Sequence, residues 1–307
     1  MGIPKVIHYC WFGGNPLPKD VKRCIRSWKK FCPDYQIIEW NESNFDYARN
    51  LYTKQAMACK KWAFVSDYAR LKIVYEQGGI YLDTDVELIR PLDSLLDLEA
   101  FFGFESNRCK QEAEVATGLG FGARKGNAVV KAMMEDYETI PFLKEDGTPD
   151  MTPCPERNTR VLVGLGLRTD GTRQTVAGAE IFPAEYFCPI GFQSDQSNIT
   201  KDTYSIHHYH ASWLSVGKKL DHYVKKYMNE RLYDEFYRPA RRWIGMRKYE
   251  LLKIFKRGGV RIPRPKFCEA VRRHGVRSGR FLCYGLCMVW TFSGNCVILK
   301  QFQRPYF

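Results

Sequence analysis

Two aspartates one residue apart, Asp83 and Asp85, close the stretch Gly78-Gly79-Ile80-Tyr81-Leu82-Asp83-Thr84-Asp85. Carboxylates that converge in this way suit a hard divalent cation. Mg²⁺ and Mn²⁺ take oxygen ligands, and Mg²⁺ commonly combines one or two carboxylates with substrate phosphates. Read as one strand over 80–88, the period of two puts Asp83 and Asp85 on one side and Thr84 on the other. An Asp-x-Asp alone also occurs in ordinary polar strand exits, so its flanks decide. Upstream, Trp62 to Gln77 reads as a helix, with Phe64, Tyr68, Leu71 and Tyr75 as one apolar stripe. Gly78-Gly79 supplies the stop, where a left-handed residue is usual. Ser66, Asp67 and Arg70 lie within an arc of about 100° beside that stripe, which would aim them at the same cleft. As a mere surface i,i+3 pair, Asp67 and Arg70 would contribute little.

Ala63-Phe64-Val65-Ser66-Asp67-Tyr68-Ala69-Arg70 followed by Gly78 to Asp85 resembles the sugar-binding DXD region of family 32 glycosyltransferases. That family includes bacterial capsular-polysaccharide and lipopolysaccharide transferases and fungal initiating mannosyltransferases. The opening Ile3-Pro4-Lys5-Val6-Ile7-His8-Tyr9-Cys10-Trp11-Phe12-Gly13-Gly14 is similar to its first strand and nucleotide loop. Ser205-Ile206-His207-His208-Tyr209-His210-Ala211-Ser212-Trp213 is similar to its C-terminal His…Ser-Trp motif. The three blocks span the first 213 residues. The resemblance implies a GT-A type fold, a nucleotide-sugar donor (UDP- or GDP-linked), a glycan or lipid-linked acceptor, and transfer with retention. It also implies a cation, Mn²⁺ or Mg²⁺. Asp85 is expected as the direct ligand, with Asp83 touching the ribose or the metal through water. One of His207 and His208 is expected to join the metal or the diphosphate; successive strand side chains face opposite ways, so at most one can.

Ser212 and Trp213 would donate an O–H and an indole N–H to the leaving phosphate, both without negative charge. Asp67 and Arg70 are carried to the donor-sugar hydroxyls, a carboxylate accepting while a guanidinium fork fixes orientation. Trp11 would stack on the base, and Gly13-Gly14 would let the backbone approach the nucleotide. No residue announces itself as a nucleophile.

These groups need a scaffold, and strand and helix signals alternate along the first part of the chain. Val6 to Phe12, Tyr35 to Trp40, Ile80 to Leu88, Ala100 to Phe104, Gly118 to Ala123, Glu180 to Phe187 and Tyr204 to His208 read as strands. Lys19 to Phe31, Gln55 to Gln77 and Asn127 to Glu138 read as helices, and Lys144 to Arg173 as a long loop. Such alternation predicts an α/β layer structure with a mainly parallel sheet, whose ligands bind beyond the carboxyl ends of the strands.

The chain has 307 residues, 45% hydrophobic and 14% aromatic, enough for one large domain with an appendage. Its net charge of +13 is uneven. Residues 214–307 hold 22 Lys and Arg against 6 Asp and Glu, which leaves the first 213 residues nearly neutral. We therefore expect a catalytic domain over 1–213 and a basic, mostly helical region over 214–307 that meets an anionic membrane surface. Lys218 to Arg257 looks helical, and Phe281 to Leu299 is 19 residues without a charge. The latter is long enough to span a bilayer, yet its polar residues and glycines favour a packed or interfacial segment.

No charged segment leading into an apolar one opens the sequence, so neither a secretory signal nor an N-terminal anchor is expected. Eleven cysteines without a CxxC speak against a disulfide framework and a zinc finger. With the basic region and what the resemblance implies, the expectation is a cytoplasmic protein, peripheral on the inner face of a bacterial membrane. One rival class is a metal-dependent nucleotidyltransferase or phosphohydrolase, which should show a further carboxylate pair and a general base. Another is a binder of nucleic acid or anionic polymer through the basic tail, where Tyr237, Trp243 and Tyr249 interleave with charge. Nothing there matches a nucleic-acid module, and the Asp-x-Asp would be unexplained.

Overall fold

In the computed structural model the described residues are 2–105, 112–191 and 197–209, with the backbone of 280–283, 286–290 and 296–299. The chain divides into two units, Met1–Tyr227 and Met228–Phe307.

The first unit opens with β1 (Val6–Cys10), α1 (Lys19–Phe31) and β2 (Gln36–Trp40). There follow α2 (Leu51–Ala58), α3 (Trp62–Gln77), β3 (Gly79–Tyr81), β4 (Val86–Leu88), β5 (Ala100–Glu105), β6 (Glu114–Val115) and β7 (Phe121–Ala123). Next come α4 (Ala128–Glu138), α5 (Cys154–Gly164), β8 (Gln174–Val176), β9 (Ala179–Phe182), α6 (Ala184–Phe187) and β10 (Ser205–His207). The main sheet has eight strands in the order β2-β1-β3-β7-β5-β9-β8, with β6 paired to β5. β2, β1 and β3 are parallel, and the antiparallel β7 stands between β3 and β5, which turns β5 and β9 back into the common direction. The sheet is thus mixed but mainly parallel, in agreement with the α/β reading and with the GT-A type that the resemblance implies.

Strand pleating divides the core between the two faces. Ile80, Leu82 and Phe101 join a cluster with Trp28 of α1, while Tyr81, Phe102 and Phe104 join one with Phe64 and Tyr68 of α3. α1 forms because Val21, Cys24 and Trp28 repeat at helical spacing and Lys29 and Lys30 lie in its last turn, where they favour the dipole. Its Trp28 donates an indole N–H to the Val86 carbonyl at 2.8 Å, which ties α1 to β4. α4 starts where Asn127 accepts from the Val129 and Val130 amides.

Four expectations change, one of them the strand expected over 118–123, which starts only at Phe121 behind a short turn of 3-10 helix over Thr117–Leu119. The strand expected over 80–88 is interrupted after Tyr81, and residues 83–85 turn before β4 begins. The loop expected over 144–173 contains α5, whose Pro155 lies in the first helical turn, where its missing N–H costs nothing. The strand expected over 180–187 ends at Phe182, ahead of Pro183 and α6.

In the second unit β11 (Arg280–Cys283), β12 (Leu286–Trp290) and β13 (Cys296–Leu299) form an antiparallel three-stranded sheet, with Phe281 opposite Met288 and Met288 opposite Ile298. Within the uncharged stretch expected to be packed or interfacial, the described segments are thus strands. Their β-branched and aromatic residues favour extended backbone. The helix expected over 218–257 lies outside the described residues. Among the described residues no helix is long and apolar enough to cross a membrane.

Candidate active site

α3 and β3 are joined through Gly78 and Gly79, with φ of 71° and 100°. A Cβ at Gly79 would sit 2.9 Å from the Val6 carbonyl oxygen and 3.0 Å from Nε2 of His8. The pair therefore lets the chain reverse against β1 as well as end the helix. β3 then delivers Asp83 just past its end, and the Val86 amide donates to the Asp83 carbonyl at 3.0 Å to close the turn. This turn, not a strand pleat, brings the two carboxylates together.

The histidine arrives from far along the chain. β10 pairs antiparallel with β4, with His207 opposite Val86, and the His208 amide donates to the Asp85 carbonyl at 3.0 Å. Nε2 of His207 lies 3.1 Å from Oδ1 of Asp85. Asp83, Asp85 and His207 each offer a ligand atom, all within 4.8 Å of one another. The two carboxylates supply the oxygen ligands that Mn²⁺ or Mg²⁺ takes, while the imidazole is a donor better suited to a transition metal than to Mg²⁺. The Nδ1 of His207 is buried and has no hydrogen-bond partner among the described residues. Burial presses the His207 pKa down, but the Asp85 and Asp83 carboxylates outweigh it and hold it above the usual value. His208 points elsewhere, its Nε2 2.7 Å from Oε2 of Glu87. Of the two histidines, His207 is the one that stands with the aspartates in the candidate cation site.

Behind the aspartates lies a buried ion cluster. Arg70, 3% exposed, reaches Oδ1 of Asp67 at 2.8 Å and Oδ1 of Asp83 at 3.4 Å. Its guanidinium lies 5.0 Å from the centroid of the Tyr81 ring, and Tyr81 donates its O–H to Oδ1 of Asp83 at 2.9 Å. Burial raises the Asp67 pKa to about 6 despite Arg70, and burial likewise raises that of Asp83. Ser66 serves Arg70 through its backbone, accepting from Nε at 3.0 Å, while its hydroxyl donates back to the Trp62 carbonyl at 3.1 Å. Cys154, on α5, has its Sγ 4.0 Å from Nη1 of Arg70. Gly118 lies so close that a Cβ there would stand 2.5 Å from Oδ2 of Asp83.

Trp11 follows β1 and is partly exposed, donating its indole N–H to the Asn15 carbonyl at 2.5 Å. Gly13 makes its close approach to Trp62, whose Nε1 would be 2.8 Å from a Cβ. Ser212 and Trp213 lie outside the described residues. Gly118, Cys154 and Tyr209 went unassigned in the sequence reading. Only Tyr209 carried a signal there, since it stands inside the third similar block.

Residues 18–102 match the model of a family described as a glycosyltransferase sugar-binding region containing a DXD motif. This segment is similar to the sugar-binding region of DXD-type glycosyltransferases. It holds Asp67, Arg70, Asp83 and Asp85, whereas His207 is supplied from beyond it. The chain is 33% identical over 103 residues to inositol phosphoceramide mannosyltransferase 3 of Schizosaccharomyces pombe, covering 32% of this chain and 29% of that protein. It is 28% identical over 110 residues to inositol phosphoceramide mannosyltransferase 1 of the same yeast, covering 32% and 33%. The matched segment thus spans about a third of each relative's length. Among solved structures it is similar to the PaToxG glycosyltransferase, at 17% identity and a TM-score of 0.41 over 53% of this chain and 70% of that one. It is also similar to the galactosyltransferase LgtC with donor and acceptor sugar analogues, at 13% identity and a TM-score of 0.37 over 74% and 98%.

Proposed function

We propose that the protein is a cation-dependent glycosyltransferase that moves a hexose from a nucleotide-sugar donor to a glycan or lipid-linked acceptor. The observation that carries this reading is the convergence of Asp83, Asp85 and His207 in front of the buried Asp67–Arg70 pair, within and beside a sugar-binding region. Asp85 and His207 would hold Mn²⁺ or Mg²⁺ together with Asp83. A divalent cation bound there supplies Lewis-acid neutralisation of the diphosphate as it leaves.

The remaining work belongs to the chain. In the transfer, the bond from the anomeric carbon to the diphosphate oxygen breaks and its electron pair leaves with the nucleotide. The acceptor oxygen bonds to the same carbon and its proton passes to the departing phosphate, with retention by resemblance to the family. Asp67 and Arg70 hold the donor-sugar hydroxyls in one orientation. Trp11, at the end of β1, lies on the base side, and Ser212 and Trp213 would serve the phosphates.

Curated relatives named as inositol phosphoceramide mannosyltransferases make a mannosyl donor and a lipid acceptor the first to test. Assembly of a surface polysaccharide on a lipid carrier is the related alternative for the acceptor. The basic region after residue 213 supports docking on an anionic membrane, because each Lys or Arg near such a surface adds about 1 kcal/mol. Full-length protein should sediment with anionic vesicles at low salt and detach in high salt; indifference to those vesicles would end the docking proposal.

The decisive experiment is a thermal-shift panel of UDP- and GDP-sugars with and without Mn²⁺. Only a ligand that prefers the native state raises the midpoint. A rise that needs both Mn²⁺ and one sugar nucleotide supports the reading, and nucleotide turnover with no sugar transferred favours a phosphohydrolase.

A further inference from the structure

A histidine that binds metal almost always donates its second ring nitrogen to a carboxylate, carbonyl or water, and this fixes the ring's orientation. His207 lacks that support, since its buried Nδ1 has no hydrogen-bond partner among the described residues. What touches the ring instead is Tyr209, edge to face, with centroids 4.2 Å apart and planes at 79°. Tyr209 is itself held at its far end, where its hydroxyl donates to Oε1 of Glu105 at 3.2 Å and lies 2.9 Å from Sγ of Cys188. The backbone at Tyr209 has φ of 49°, a left-handed conformation that costs an ordinary side chain energy and persists only where surroundings impose it.

The anchor is well placed. Glu105 ends β5, which runs in the same direction as β3, so its carboxyl end lies on the edge of the sheet where Asp83 and Asp85 follow β3. Cys188 directly follows α6. A residue two positions past β10 is thus held at its hydroxyl by Glu105 and Cys188, with its ring against the imidazole. From this geometry we infer that Tyr209 is a positioning residue of the cation site, holding His207 toward Asp85 by ring packing where a hydrogen bond usually serves. The inference rests on the cation reading above.

Mn²⁺ binding to the full-length protein, followed by its paramagnetic resonance signal, tests it without any sugar donor. Tyr209→Leu should weaken Mn²⁺ about ten-fold or more, as loss of a ligand's outer support typically does. Tyr209→Phe keeps the ring and should recover most of that loss. His207→Ala sets the reference, and the Tyr209→Leu/His207→Ala double variant should bind no more weakly than His207→Ala alone. That non-additivity is the signature of one residue acting through another, which a general loss of stability would not produce. Tyr209→Leu that binds Mn²⁺ like wild type, or effects that simply add, would overturn the inference while leaving the cation site intact. Wild-type protein that binds no Mn²⁺ would overturn the cation reading itself, and this inference with it.

Discussion

Arg70 and Asp83 are joined at 3.4 Å from opposite sides of the turn between helix and strand, and the arginine is shared with Asp67 at 2.8 Å. One guanidinium thereby offsets part of the charge of two carboxylates, while Asp85 and His207 face each other at 3.1 Å. The site is divided into a part whose charge the protein balances and a part that, on the proposed reading, takes a cation. Each part can be tested separately.

Asp85→Asn preserves shape but removes one carboxylate charge from the cation part. Mn²⁺ affinity should fall by at least the ~10–100-fold seen when a metal ligand's supporting groups are removed, with little change in the unfolding midpoint measured without metal. An Asp85→Asn protein that binds Mn²⁺ as tightly as wild type would move the ion away from this turn.

Arg70 is a different case because it is buried. Arg70→Ala would leave Asp67 without its partner and should cost about 3–5 kcal/mol of stability, as breaking buried pairs commonly does. Asp67→Asn is the gentler probe of function. It should lower sugar transfer far more than the affinity for free nucleoside diphosphate, whereas Trp11→Ala should do the reverse. Calorimetry beside a transfer assay separates the two, and the opposite pattern would mean that the cleft runs the other way round.

Gly118 tests packing alone. Its missing side chain makes room for the Asp83 carboxylate, which would lie 2.5 Å from a new methyl group. Gly118→Ala should cost about 1–3 kcal/mol through overpacking and weaken Mn²⁺ binding, since Asp83 must move. Unchanged stability and unchanged Mn²⁺ affinity together would show that the turn yields freely.

A pH dependence of the fold follows from His8, which is 1% exposed in the centre of β1. Trp40 donates its indole N–H to Nδ1 at 3.1 Å, so Nε2 carries the proton and donates to the Gly78 carbonyl at 2.9 Å. Burial lowers the His8 pKa from its ordinary 6.5. The unfolded chain therefore takes up the proton first, and this contribution to stability is complete above pH 6.5 and shrinks as pH falls below it. Asp67 acts in the opposite sense. Its pKa is raised to about 6 in the fold, so its share is complete near pH 4 and is lost as pH rises through 6. The comparison that isolates His8 is urea unfolding of wild type and His8→Gln between pH 7.5 and 5.5. Wild type should lose more stability than the variant on acidification, and parallel curves would refute the assignment.

Most of what the sequence revealed was local. The helix from Trp62 to Gln77 and its glycine stop were legible because an apolar stripe and a Gly-Gly pair announce them. The Asp67–Arg70 spacing was legible too, but its burial was not, because a pair at i,i+3 looks the same on a surface or beneath one. The turn at residues 83–85 was hidden by the apolar run before it, which imitates a longer strand. α5 was hidden by prolines that also suit loops, although one stands in its first turn. The choice of His207 over His208 depended on the register of β10 against β4, a pairing that no short-range pattern encodes.

That pairing also sets an order of events. Asp85 and His207 are more than a hundred residues apart in the chain, and closing so long a loop delays their contact relative to the local helices. A ribosome releasing this protein from its amino terminus therefore exposes Asp83 and Asp85 well before His207 exists. Until β10 has docked, the nascent domain has its aspartates without the imidazole. On the proposed reading, full cation affinity then reports that β10 has paired with β4.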